Sequence, residues 1–565
     1  MSKIIYINFR TKIEKKAYDK LYQISKMLEP DNIVANHPKI YQRNRTLYAI
    51  VNPVETVITK NESILLGQCV CRNEWSTPLN NIEDGSYALI RSNNEMTEIV
   101  SDSVGSRTLW YYSNKDIFIV STSQRAIVLF LDTFEFNDKV IPWMLSTGSL
   151  GPDFSWDKRL RKLKASSSLL LDKNSWELEE KANEISFPKS KRSFKEHKEV
   201  LLNAINSTFK NVSFDFHKWI LPLSGGHDCR AILYLIKNTV QNPGNIRSIT
   251  WGLADSLHEK GNDAYVAYRV AQATGIQHKY YPTDISNETP EVILKRFIEN
   301  GEGRIDHISG YADGFTIWKT LFEDGVEGII RGDEGFGWVT AASSLRVRYH
   351  LGCALCTDYS NLMDYRKYGI PEQEYPKYML QQDSESMNTW RDRLYHQYRI
   401  PTVLSALSDL KLGYVEQSTP LLSDNIIRAV RTLPDWMRTE KLLFKKIVHD
   451  FRPRLEYATS SATSAPKNIL NSNDMVDLLR KEMKSPHAIS LFSAEFLEMV
   501  AKNALISQGD THKPSLRDKL KLLFIKFAPQ WIKNRIASNR KLAVDPNILM
   551  FRVYVIIYMH RLLSK

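Results

Sequence analysis

Leu221-Pro222-Leu223-Ser224-Gly225-Gly226-His227-Asp228-Cys229-Arg230 is the stretch on which the reading of this chain turns. An apolar run from Trp219 ends at Ser-Gly-Gly, and a helix-like run, Ala231 to Ile236, follows. The order strand, glycine turn, helix start aims backbone N–H groups and the positive end of a helix at a phosphate. Two glycines permit close backbone approach. Ser224 can donate a hydroxyl hydrogen bond, and Asp228 sits where a carboxylate could hold Mg²⁺. The loop lacks the Lys-Ser/Thr that ends a Walker loop and the glycine spacing of a dinucleotide fingerprint.

Around this loop the pattern alternates. Phe187 to Arg192 reads as a linker, and Ser193 to Glu196 has capping-box spacing, opening a helix to about Phe209. Strands are predicted at Arg247 to Trp251, His278 to Tyr281 and Gly328 to Arg331, with a helix over Asn262 to Thr274. Alternation of this kind predicts an α/β fold with a doubly wound parallel sheet, which binds ligands beyond its strand C-termini. From about residue 340 the pattern turns helical. The predicted domains are 1–186 and 193–565.

Ser224 to Cys229 resembles the Ser-Gly-Gly-x-Asp-Ser loop of the ATP pyrophosphatase families, with Cys229 in place of the usual serine. Gly328-Ile329-Ile330-Arg331-Gly332-Asp333-Glu334-Gly335-Phe336-Gly337 is similar to a second segment of asparagine synthetases. Val415 to Asp424, Leu433-Pro434, Lys441 to Lys445 and Ala465-Pro466-Lys467 continue the likeness over roughly residues 195 to 470. The resemblance to the asparagine synthetase-like superfamily implies ATP and Mg²⁺ as cofactors. It places Leu223, Ser224, Gly225, Gly226, His227, Asp228, Cys229, Arg230 and Gly332 on ATP or pyrophosphate, and Asp228 and Asp333 on the metal. Lys441, Lys467, Glu416 and Arg331 become catalytic candidates. Where asparagine synthetases carry Glu and β-lactam synthetases Tyr, this chain has Ile330, or Arg331 if one residue is deleted; neither is an acid/base group near neutral pH.

Gly85 to Ile90 and Ser101 to Tyr112 are similar to class II glutamine amidotransferases, which implies an N-terminal sandwich of stacked sheets. That family cleaves glutamine with an N-terminal cysteine. The chain reads Met1-Ser2-Lys3, and no Asn-Gly-Glu segment follows, so the domain is expected to have lost glutamine cleavage. Within the superfamily this departure is typical of β-lactam synthetases and lasso-peptide cyclases.

Composition bounds the rest. The 565 residues, 43% apolar and 25% charged, suit a folded protein of two or three domains. Net charge is +12, much of it in the amphipathic segment 513–541. Five cysteines do not make a disulfide scaffold. Cys353 and Cys356 have the spacing of half a metal site, but only Cys69 and Cys71 are at hand to complete it. No signal-like segment is read, and the apolar run Leu549 to Leu563 is too short and charged to span a bilayer, so a cytoplasmic protein is expected.

The expected activity is an ATP-dependent, AMP-forming amide synthetase. It would adenylate a substrate carboxylate and join it to an amine already present in a small-molecule or peptide substrate. A leader peptide or protease partner would suit a peptide cyclase, and no nucleic acid is expected. Two alternatives stand beside it: an asparagine synthetase using free ammonia, and a degenerate scaffold that binds nucleotide or peptide without turnover.

Overall fold

A computed structural model of the protein describes residues 3–55, 57–71, 74–239, 245–284, 286–505 and 542–565. The expectations for Met1-Ser2 and for the basic segment 513–541 lie outside these residues. The chain is mixed α/β, with two antiparallel sheets and one parallel sheet.

The first sheet runs, in spatial order, Arg161–Lys162, Trp110–Ser113, Ile117–Ser121, Ile4–Phe9, Thr46–Ile50, Lys39–Arg43. The second runs Leu178–Ala182, Ser167–Asp172, Met96–Ser101, Asp84–Ser92, Ser63–Val70, Ile58–Lys60. Side chains alternate across a strand. In Ile4–Phe9, Ile4 and Tyr6 therefore join Leu66, Ile90 and Leu169 in a core between the two sheets. Ile5, Ile7 and Phe9 face the other way, into a second core built with helices.

The parallel sheet has the order Gln277–Pro282, Arg247–Gly252, Trp219–Pro222, Gly328–Ile330, Glu416–Ser418. All four pairings are parallel. Numbered along the chain this is 3-2-1-4-5, so strand order reverses between Trp219–Pro222 and Gly328–Ile330. Alternation again sorts the faces. Leu221, Leu223 and Ile330 pack with helices His227–Lys237, Asp263–Thr274 and Leu442–His449. Ile220, Ile249 and Ile329 pack with helices Pro290–Gly301, Thr316–Glu323 and Pro546–Leu563. Helices thus cover both faces, as a parallel sheet requires. The helix Phe194–Asn211 begins with the expected capping box of Ser193 and Glu196.

The boundary expected near residue 190 is crossed by a continuous apolar core that runs from Ile5 to Leu563. Polar ties cross it too: Asp424 accepts from the Ser103 amide at 3.0 Å, and Arg431 donates to the Ser103 carbonyl at 2.8 Å. No helix among the described residues is long and apolar enough to cross a membrane. Cys353 and Cys356 are buried, with burial pushing each thiol up to about 12. They are inert core groups.

Candidate active site

The Ser-Gly-Gly loop leaves the C-terminal end of the central parallel strand, at the point where strand order reverses. The Leu223 amide donates to Ile249 at 2.7 Å, and the Thr250 hydroxyl donates to the Leu223 carbonyl. Gly226 begins the helix His227–Lys237 with no side-chain cap, so the positive helix end opens onto the cleft. Two loop amides are already engaged: Gly225 donates to Asp263 at 3.1 Å and Gly226 to the Ser224 hydroxyl at 3.3 Å. The Ser224 hydroxyl lies 3.0 Å from the Cys229 sulfur, within hydrogen-bonding reach of it.

The second motif arrives from the neighbouring strand. A Cβ on Gly332 would lie 3.4 Å from the Asp228 Cβ and 3.3 Å from the Cys229 amide, so the two loops touch. Lys441 joins them: its Nζ is 2.9 Å from Asp228 Oδ2 and 2.9 Å from Glu334 Oε1. Burial opposes its charge, but Glu334 and Asp228 together hold the lysine pKa above its ordinary value. Glu440 and Lys441 are both left-handed, with φ of 58° and 56°. Consecutive non-glycine residues in that region are strained, a condition that clusters at functional sites. The Glu440 amide bonds the Trp338 carbonyl at 2.9 Å and fixes this turn.

Asp333 is held differently. Arg331 grips both its oxygens, Nε to Oδ2 at 3.0 Å and Nη2 to Oδ1 at 2.9 Å. Beneath them lies Lys411, which is 2% exposed and donates to Tyr311 at 3.0 Å. Burial first, then Arg331, drives its pKa well below the ordinary lysine value. The cleft between the loops is about 300 Å³, lined by Leu223, Ser224, Asp228, Cys229, Arg331 and Gly332, together with Thr250, Trp251 and Asp263.

Several sequence-predicted residues are placed elsewhere. Arg230 does not face the cleft. It is 2% exposed, donates to the carbonyls of Leu455 and Glu456 at 2.8 and 2.6 Å, and stacks on Tyr457. It ties the strap 455–458 to the loop, because the same guanidinium group also donates to the Gly225 carbonyl at 3.4 Å. Glu416 is also removed: it is buried against Arg107 and belongs to the junction of the two halves. His227 stacks on Tyr457 at 3.8 Å, and burial lowers its pKa to about 4, so it is neutral near pH 7. The side chain of Lys467 lies outside the described residues.

Three groups escaped the sequence reading. Glu334 was visible beside Asp333 but carried no role. Asp263, opening the helix after the second parallel strand, left no local signal. Lys411 has the look of any surface lysine until its burial is known.

The strap 458–463 closes one side of the cleft. Ala458 donates to the Gly225 carbonyl at 3.1 Å, and Leu253 to Ala462 at 2.8 Å. A Cβ on Gly225 would stand 2.5 Å from the Ala458 Cβ and 3.0 Å from that of Val266. Gly225→Ala is therefore expected to destabilise the protein by about 1–3 kcal/mol through overpacking. Thermal unfolding of the variant checks this; an unchanged melting temperature would mean the strap moves freely.

Mg²⁺ usually takes one or two protein carboxylates and fills its shell with phosphate oxygens and water. Asp228 fits that role, since one lysine faces it and its carboxylate borders the cleft. Asp333 does not fit in this arrangement, because the Arg331 fork occupies both oxygens. Among the described residues no group of three or more acidic, His or Cys side chains is gathered to hold a metal.

A scan against protein-family models finds no match for this chain, and no curated protein is found similar to it.

Proposed function

We propose that the chain is an ATP-dependent, AMP-forming carbon–nitrogen ligase. One observation carries this reading: an uncapped helix start after Ser224-Gly225-Gly226 meets Gly332 at the strand-order reversal of a parallel sheet, with Lys441 bridging Asp228 and Glu334. The likeness to asparagine synthetase-like enzymes supports it, and the stacked antiparallel sheets in front suit the amidotransferase-like sandwich of the same superfamily.

The reaction this site suits has two steps. A substrate carboxylate attacks the α-phosphorus of ATP, and the bond to pyrophosphate breaks, leaving an acyl-adenylate. An amine of the substrate then attacks the acyl carbon, AMP leaves, and the amine gives up a proton. The chain's part is positioning and charge neutralisation. The helix start and the Ser224 hydroxyl orient phosphate oxygens. Lys441 carries the cation nearest both loops and suits the charge developing on pyrophosphate or the acyl oxygen. Arg331 offers its remaining guanidinium N–H groups from the cleft wall. Carboxylates outnumber cations here: Asp228, Asp263, Asp333 and Glu334 against Arg331 and Lys441. Such a cleft favours a metal-loaded nucleotide over a bare polyanion, with Asp228 as the side chain that would hold the ion. When bound, that ion would supply neutralisation of phosphate charge.

The test is pyrophosphate release and AMP formation from ATP, with the full chain and a panel of amine-bearing carboxylic acids. AMP with an amide product supports the reading. ATP binding without AMP across the panel would favour the scaffold alternative, for which the closed Arg331–Asp333 pair argues. Asparagine from aspartate and ammonium would favour the ammonia-using one.

A further inference from the structure

A second cavity, of about 270 Å³, lies away from this cleft, where the front half of the chain meets the helical part. Asp153, Lys162 and Ile185 line it from one side, and Tyr378, Gln397 and Pro401 from the other. Most of its exposed lining surface is carbon, contributed by Ile185, Tyr378, Pro401 and the stems of longer side chains, although most of its lining residues are polar or charged. Its cations differ in one respect. Arg393 is paired with Glu385, and Lys164 lies 3.6 Å from Glu180. Lys162 has a single hydrogen bond, to the Thr402 hydroxyl at 3.1 Å, and no ion pair among the described residues. The nearby Asp153 carboxylate is occupied instead by the Tyr378 hydroxyl, at 2.6 Å.

Lys162 is half-buried, and an ammonium partly withdrawn from water without a counter-ion is costly unless something compensates it. Burial, set against the pull of Asp153, brings the Lys162 amine down to about 8, so it still carries charge near neutral pH. We propose that this cavity is a binding site for a small organic monocarboxylate with an apolar body, whose carboxylate pairs with Lys162. The apolar wall takes the body of the ligand. Asp153 and Glu184 on the lining disfavour a dianion such as a phosphate monoester, which leaves a single negative charge as the best match. Lys162 reaches this place because the two-residue strand Arg161–Lys162 pairs with Trp110 and Tyr111 at the sheet edge.

The site sits on a helix that also touches the candidate active site. In the π-helical segment Tyr395–Leu404, Gln397 and Pro401 line the cavity. On the same segment the Tyr395 hydroxyl is 3.5 Å from Glu334, and His396 Nε2 is 2.8 Å from the Gly335 carbonyl. π-helical turns are rare and recur at functional positions. The proposal nonetheless stands apart from the ligase reading, since it concerns binding at a separate cavity.

Titration calorimetry of the full chain with 3-phenylpropanoate and with octanoate tests it, with 3-phenylpropanamide as the uncharged control. At least one acid is expected to bind one-to-one, with the amide weaker by about tenfold or more. Lys162→Met is expected to lose about tenfold or more in affinity for the acid while raising the melting temperature of the ligand-free protein. Absence of binding by both acids, equal binding of acid and amide, or an unchanged affinity in Lys162→Met would each overturn the proposal.

Discussion

A chain carrying Lys441→Met is expected to remain folded and to form AMP about 10²–10³-fold more slowly than the native protein, the loss typical of removing one preorganised charge donor. The expectation rests on the ligase reading and on geometry. The ammonium is bonded to both Asp228 and Glu334, an acidic residue from each loop. Backbone strain of order 1–3 kcal/mol at each of Glu440 and Lys441 is retained to aim it there. Methionine preserves length and packing but not charge. In Glu334, which is 3% exposed, burial already pushes the carboxyl up and Lys441 opposes that, so loss of the ammonium moves it further up. Lys441→Arg should not restore the rate, since a planar fork cannot replace a point charge between two carboxylates. AMP formation is the readout and circular dichroism the control for folding. A variant as fast as the native chain would remove Lys441 from the chemistry.

Glu416→Ala is expected to act on stability, by about 3–5 kcal/mol, the usual cost of leaving a buried charge without its partner. Arg107 and Glu416 have side chains only 5% and 3% exposed. The same guanidinium group also donates to the Gln417 carbonyl, pinning the edge strand Glu416–Ser418 to the front sandwich. Removal of the carboxylate strands Arg107 in the core. The double variant Arg107→Met with Glu416→Ala should recover much of the loss, because it removes both charges together. Denaturant unfolding of the four chains measures this coupling. Equal destabilisation by the single and double variants would mean that the pair is not the source, and would reopen a role for Glu416 in the reaction.

The two variants mark where residue pattern stops being informative. Ser224-Gly225-Gly226, Asp228 and Gly332 are local features: a strand ending in glycines before a helix has few other geometries, so their placement was legible. The strands at 247–251, 278–281 and 328–331 and the helix at 262–274 were read to within a residue or two, since apolar period specifies each, whereas the helix after the loop starts four residues before the run from Ala231 and the edge strand Glu416–Ser418 was not read. Arg230 and Glu416 were misplaced because burial and partner are not local properties. Arg230 finds its acceptors at Leu455 and Glu456, and Glu416 finds Arg107 more than three hundred positions away. Asp333 was found but its state was not, because the neighbouring Arg331 reads as a free cation until the turn folds it back onto the carboxylate.

Alternation of apolar residues and the position of glycines fixed, from the chain alone, an α/β fold, a parallel sheet and the loop at its central strand. Short-range sterics and hydrophobic burial suffice for that, because each acts within a few residues. Which charges meet, which are neutralised and which are left unpaired was settled only by packing. Lys441 between Asp228 and Glu334, Arg331 closed on Asp333, and Lys162 without an ion pair among the described residues all depend on desolvation and on distances across the chain. Electrostatic energy in a protein interior varies with both, and neither is encoded in the spacing of residues.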